Sequence, residues 1–274
     1  METLYGSAID IGIKRRGKPN QDSLIVLLPQ PNATTPPVFV VADGMGGYTG
    51  GEVASQTIVH QFSSHYSAWK GSNFSLAIFA DSVIADSISE MKSKASADAQ
   101  YASMGSTVVA VSLEKGKANL VNVGDSRAYI INTNRIRQIN HDHSYVGEMM
   151  RAGLLTAEEA MNHPKKNQLT QSISAHTVDL KPYYSTELMS TDDIVLLCSD
   201  GLWGVVSEPL IQFIVMENPP QRAAELLVQM ANERGGPDNI SVIVVRQKAD
   251  APITKPTLRA QATQVDFSTQ ITNR

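Results

Sequence analysis

Apolar residues along this chain gather into short continuous runs, separated by turn residues and by amphipathic stretches. The runs at 38–42 (Val-Phe-Val-Val-Ala) and 194–198 (Ile-Val-Leu-Leu-Cys) contain no polar position. A strand that alternates has one wet face, whereas an unbroken apolar run is covered on both. Further β-rich runs at 106–113, 118–123, 127–131 and 240–245 are divided by Gly-containing or polar turns. Helical spacing separates these strands. After Gly50 and Gly51, the residues Val59, Phe62, Tyr66 and Trp69 recur at intervals of three and four, marking one helical face. Residues 75–91 predict a second helix, with Leu76, Phe79 and Val83 as its strip. Residues 221–233 predict a third, with Pro219 and Pro220 at its start and Gly235 and Gly236 beyond its end. A short helix at 158–162 is stopped by Pro164, and the Pro-rich segment 28–37 reads as a hairpin loop. Paired helices, with strands following one another through short turns, favour antiparallel sheets with helices outside over a βαβ alternation. The class is α+β.

Composition narrows the partners. With 42% hydrophobic residues in 274, the chain can bury one large core or two modest ones. Lys and Arg number 23 against 27 Asp and Glu, a net charge of −4 that makes no electrostatic case for nucleic acid. Cys198 is the single cysteine, so no internal disulfide forms, which fits a reducing compartment. No apolar run approaches the length of a membrane span, and no basic-then-apolar leader opens the chain. The expectation is a cytoplasmic, monomeric, globular protein. Periodicity ends near residue 248, which predicts one domain over 1–248 and a polar tail over 249–274 with the composition of disordered segments.

The candidate chemistry lies in aspartates beside strands. Asp43 follows the run ending at Ala42, Asp200 follows the run ending at Cys198, Asp125 follows 118–123, and Asp238 precedes the run starting at Ile240. Carboxylates gathered in one place repel each other unless cations lie between them. All these candidate ligands are hard oxygens, which suits Mg²⁺ or Mn²⁺ and not zinc. Gly44 and Gly201, each following an aspartate, allow a sharp backbone turn. Taken alone, any Asp-Gly after a strand is more often a turn than a ligand. For gripping phosphate, an arginine fork is the better match, and Arg15 and Arg16 are both candidates.

The motifs Asp43-Gly44-Met45-Gly46-Gly47, Gly124-Asp125-Ser126-Arg127, Ser199-Asp200-Gly201-Leu202-Trp203 and Asp238-Asn239-Ile240-Ser241 stand in the order found in the PP2C-like metal-dependent phosphatases. Asp10-Ile11-Gly12 with Asn20-Gln21-Asp22 resembles that family's opening motif, and Leu169-Thr170 its flap. The similarity covers roughly residues 5–246 and looks bacterial in type. The resemblance implies a four-layer α-β-β-α sandwich of two antiparallel sheets flanked by helix pairs. It implies hydrolysis of phosphoserine and phosphothreonine on proteins by a hydroxide between two Mn²⁺ or Mg²⁺ ions. Asp43 would bridge the ions, with the Gly44 carbonyl on one and Asp200 and Asp238 on the other. Asp125 would hold a weaker third ion, with Asp22 and Asn239 behind the ligands. Phosphoprotein substrates and a cognate Ser/Thr kinase are the implied partners. A catalytically weak phosphoprotein-binding relative is the alternative.

Two positions depart from the family pattern. Gln21 stands where many relatives carry Glu, and Met45 where some carry a histidine that protonates the leaving group. His163 is a candidate acid, though it reads first as a flap residue. His141-Asp142-His143 reads as the structural entry to the flap and not as a metal triplet. Cys198 lies in a buried strand with Gly204 six positions on, so no cysteine-phosphatase motif is present. Trp203 reads as a core or loop anchor.

Overall fold

The computed structural model describes residues 2–31, 33–46, 50–114 and 116–248. Gly47 of the first aspartate motif and the tail 249–274 lie outside them. Among the described residues, twelve strands form in chain order: β1 Glu2–Asp10, β2 Asp22–Leu27, β3 Val38–Met45, β4 Gly105–Ser106, β5 Val108–Glu114, β6 Lys117–Val123, β7 Arg127–Ile131, β8 Ile136–Gln138, β9 Ile173–Ser174, β10 Tyr183–Leu188, β11 Ile194–Cys198 and β12 Ile240–Lys248. The helices are α1 Gly50–Ala68, α2 Leu76–Ala97, α3 Tyr145–Arg151, α4 Ala157–Asn162, α5 Asp200–Trp203, α6 Glu208–Glu217 and α7 Pro220–Glu233.

All pairings between these strands are antiparallel. One sheet has five strands in the order β1-β12-β11-β7-β8; the other has seven, β10-β6-β5-β3-β4-β9 with β2 beside β3. The unbroken apolar runs are explained by the layers. In β3, Phe39 and Val41 point between the sheets, where Val195, Leu197, Ile243 and Val245 meet them. Val38, Val40 and Ala42 point the other way, under Ile58 and Phe62 of α1 and Phe79 and Val83 of α2. In β11, Ile194, Leu196 and Cys198 face α6 and α7, where Ile211, Ile214, Leu227 and Ala231 close the layer. The architecture is therefore the four-layer sandwich. Phe39 and Phe62 are completely buried, so truncating either to Ala costs about 3–5 kcal/mol.

Several expectations need correction. The run 106–113 is two strands, β4 and β5, split at Thr107. The second helix continues six residues past 91, to Ala97. Asp43 does not follow its strand but lies inside β3, directly opposite Asp22 of β2. Asp200 is the first residue of α5. Neither Gly44 nor Gly201 serves to turn the chain. A Cβ on Gly44 would stand 1.9 Å from the carbonyl oxygen of Gly51, and one on Gly201 1.9 Å from that of Asn239. Glycine is needed at both because another backbone passes at that distance.

Candidate active site

Five aspartates from distant parts of the chain come within electrostatic reach of one another. Asp22, Asp125, Asp200 and Asp238 all act on Asp43, which sits among them. Each is positioned by a different device. Thr107, at the split between β4 and β5, grips Asp43 from both sides. Its amide donates to the Asp43 carbonyl at 2.8 Å, and its hydroxyl accepts from the Asp43 amide at 3.0 Å. The same hydroxyl meets Ser126 Oγ at 2.8 Å, tying Asp43 to the β6–β7 turn that carries Asp125. Gly124, at φ +102°, makes that turn, and its Cα lies against Thr107 so closely that a Cβ would come 2.5 Å from the Thr107 methyl.

Asp22 is buried, and its Oδ2 accepts from Ser199 Oγ at 2.7 Å. Ser199 Oγ in turn accepts from the Ser241 amide at 3.0 Å, so β2, β12 and the junction of β11 with α5 meet at one hydroxyl. Asn239 joins the remaining segments. Its Oδ1 accepts from the Gln21 amide at 2.9 Å, its Nδ2 donates to the Ile11 carbonyl at 2.7 Å, and its own amide donates to Asp238 Oδ1 at 2.9 Å. The Gln21 carbonyl accepts from the Gly44 amide at 3.0 Å.

Of the two arginines, only Arg15 is brought to the cluster. It ends the one-turn 3-10 helix Ile13–Arg15, and its Nη2 lies 2.7 Å from both carboxylate oxygens of Asp238. Arg16 caps the same turn and is exposed. His163 is placed on the flap, where its ring stacks on Tyr145 with 5.2 Å between centroids. The flap over 145–168 is pinned at its base: the Tyr145 amide donates to the Gln168 carbonyl at 2.8 Å, and the Thr170 amide to the His143 carbonyl at 2.9 Å. Asp142 accepts from Arg127 and Gln138, while His141 packs on Tyr183 at 4.4 Å between centroids.

Comparison with known proteins decides which family the chain belongs to. A family model described as Protein phosphatase 2C matches residues 13–234. The serine/threonine phosphatase stp of Listeria welshimeri serovar 6b is 36% identical over 224 residues, covering 79% of this chain and 86% of its own. Among solved structures, serine/threonine phosphatase Stp1 from Staphylococcus aureus aligns with a TM-score of 0.82 at 28% identity, over 91% of this chain and 96% of that one. The catalytic domain of the phosphatase PstP, in complex with 2 manganese ions, aligns at 0.77 and 27% identity, over 90% and 99%. The chain belongs to the protein phosphatase 2C family. It is a protein serine/threonine phosphatase.

The electrostatics of the aspartate cluster follow from burying acids together. Burial, then repulsion from Asp22 and Asp200, holds the Asp43 carboxyl well above the usual range. Burial and the neighbouring acids raise Asp22 to about 7, Asp125 to about 8 and Asp200 to about 6. The hydrogen bond to Asp238 raises Arg15 above the ordinary arginine value. Among the described residues, no three acidic, imidazole or thiolate side chains converge as a finished ligand set. The donors nevertheless fit hard divalent cations. They are all oxygens, their mutual repulsion calls for positive charge, and Asp22 Oδ1 is buried with no hydrogen-bond partner. Cys198 is fully buried at the back of β11, and burial pushes its thiol up, away from nucleophilic chemistry.

Two contributors had no signal of their own in the sequence: Thr107 lay inside an apparent strand, and Ser199 was hidden beside Asp200 in the Ser-Asp-Gly-Leu-Trp motif. Trp203, read as a core or loop anchor, holds the Asp125 turn, its indole donating to the Asp125 carbonyl at 3.1 Å.

Among the described residues, no helix is long and apolar enough to cross a membrane.

Proposed function

We propose that this phosphatase hydrolyses phosphoserine and phosphothreonine on proteins at a site for two divalent cations, Mn²⁺ or Mg²⁺. Asp43, the Gly44 carbonyl, Asp200 and Asp238 would hold the two ions, and Asp125 a weaker third. When bound, the ions neutralise charge on the phosphoryl oxygens and activate the attacking water. The residues of the chain do the rest. Arg15, poised over the cluster by Asp238, grips the phosphate as a fork. Asp22 and Asn239 fix the segments behind the ligands and accept from groups that would otherwise shift. Met45, in the Asp-Gly loop, cannot protonate the leaving oxygen. The substrates imply a partner Ser/Thr kinase in the same compartment, the cytoplasm.

The observation that carries this reading is the convergence on Asp43 of four other aspartates, all from separate segments. The solved PstP domain with its 2 manganese ions supports it. Phosphate release from a phosphothreonine peptide tests it, measured with Mn²⁺, with chelator, and for Asp200→Asn. Release should need Mn²⁺ and fall about a hundredfold or more in the variant. Release that survives chelation, or an Asp200→Asn variant as active as its parent, would sink the reading.

A further inference from the structure

A groove of about 450 Å³ lies between the first segment of the chain and α7. Ala8, Ile13 and Val228 form an apolar floor, and Ile13 is 44% exposed there. Asp10, Glu225 and Glu233 stand around it, and among the described residues no lysine or arginine lines it. Asp10 is fixed in place: its Oδ1 accepts from the Gly12 amide at 2.8 Å and from Asn232 Nδ2 at 3.0 Å. Glu225 and Glu233 lie on one side of α7, about 12 Å apart along its axis at 1.5 Å per residue. Arg222, one turn back on α7, lies 3.5 Å from Glu225, and both are about half exposed, so water screens that pair.

The groove adjoins the phosphate grip. Ile13 on its floor and Arg15 on Asp238 belong to the same single turn, Ile13–Arg15. The backbone of Gly12 between Asp10 and Ile13 packs directly on Asp238, where a Cβ would stand 2.0 Å from the Asp238 carbonyl oxygen. A chain whose phosphorylated residue is held at Arg15 can lay one flank across this turn and into the groove. An apolar floor with an anionic rim suits a side chain with an aliphatic stem and a cationic head. We propose that the groove is a specificity subsite for a Lys or Arg side chain of the phosphoprotein substrate, a few residues from the phosphorylated Ser or Thr. This rests on the reading of Arg15 as the phosphate grip.

The test is a set of phosphothreonine peptides in which a single Lys is walked along the positions flanking the phosphorylated residue, against Ala and Glu at the same positions. Enzyme with Mn²⁺ should favour Lys over Glu at one position by about five- to tenfold in kcat/KM. The double variant Glu225→Gln with Glu233→Gln should lose most of that preference while hydrolysing a small aryl phosphate as its parent does. Equal rates for all peptides, or a preference that survives in the variant, would overturn the subsite. Binding of the same peptides carrying a non-hydrolysable phosphonate, followed by fluorescence anisotropy, separates the two readings. If no peptide is hydrolysed, the catalytic reading fails. The subsite then stands if the Lys phosphonate still binds several-fold tighter than the Glu one, and falls if it does not.

Discussion

The indole of Trp203 donates from Nε1 to the carbonyl oxygen of Asp125 at 3.1 Å, so α5, which begins with Asp200, holds the turn that presents Asp125. The opposite role of the same ring is to support Arg127, whose guanidinium carbon lies 3.7 Å from the indole centroid. Arg127 also reaches Asp142 at 2.7 Å and Tyr129 Oη at 3.2 Å. One aromatic side chain thus couples two aspartate motifs and the entry to the flap. Trp203→Phe keeps a ring under Arg127 and removes one hydrogen bond, for an expected loss of about 1 kcal/mol. Trp203→Ala also loses packing and the cation–π contact, for about 3 kcal/mol or more. Urea unfolding measures both. If Phe costs nothing, the indole N–H does not anchor Asp125.

The acid cluster makes stability depend on pH in a direction opposite to most proteins. Asp22 and Asp125 hold their protons to about 7 and about 8 because burial disfavours their charged forms. Their carboxyls are raised above the unfolded value, so the folded state binds more protons than the unfolded state. Stability from this source is complete below the unfolded carboxylate range and is lost as pH rises through about 7 and about 8. Metal-free protein is expected to melt lower at pH 8.5 than at about pH 6.5, with the difference shrinking in Asp125→Asn. Mn²⁺ should raise the melting temperature more at the higher pH, because the ligands are then deprotonated. A melting temperature that climbs with pH in the absence of metal would contradict this account.

Arg15 and Arg16 are adjacent in sequence and opposite in placement. Arg15 shares both oxygens of Asp238, whereas Arg16 faces solvent. Charge-assisted bonds to phosphate carry about 1.5–3 kcal/mol, so Arg15→Ala should raise KM for a phosphopeptide by about 10- to 100-fold. Arg16→Ala should change it less than about twofold. Steady-state kinetics on both variants decides the point; equal, mild effects would remove Arg15 from the phosphate grip.

What the sequence made legible depended on how each element is buried. β3 and β11 announced themselves because both faces are covered, leaving no polar position in 38–42 or 194–198. β10 at the sheet edge reads Tyr-Tyr-Ser-Thr-Glu-Leu, with partly covered and exposed positions alternating, and carries too few apolar residues to stand out. β1 is also an edge strand, and its Glu, Thr, Gly and Ser positions masked its pairing with β12. α6, opened by Pro209, was not legible because its apolar residues at 210, 211 and 213–216 run almost continuously and leave no polar stripe to mark a helical period. In the site, the aspartates were legible through their motifs. Which of Arg15 and Arg16 reaches the cluster was not, because it depends on the approach of residue 15 to residue 238 across the chain. The true demand for glycine at 44 and 201 was hidden for the same reason: Gly51 and Asn239, which crowd them, are brought there only by the fold.

The side chain of Gln221 covers the middle of the free edge of β1. Gln221, in the first turn of α7, accepts from the Ser7 amide at 3.1 Å and donates to the Ser7 carbonyl at 3.0 Å, as a neighbouring strand would. An open edge with half-exposed Leu4, Tyr5 and Ile9 is a template for pairing with another chain. By occupying the outward groups at the middle of the strand, the carboxamide interrupts that template. Gln221→Ala exposes both groups to water, so the loss of stability should be small, about 0.5–1.5 kcal/mol. The larger effect should be self-association at high concentration, measured by sedimentation velocity. Gln221→Glu keeps the acceptor for the Ser7 amide but places a charge at the edge, and should sediment as the parent does. If Gln221→Ala also sediments unchanged at all concentrations, the bidentate pair is only local packing between β1 and α7, and the edge is protected by other means.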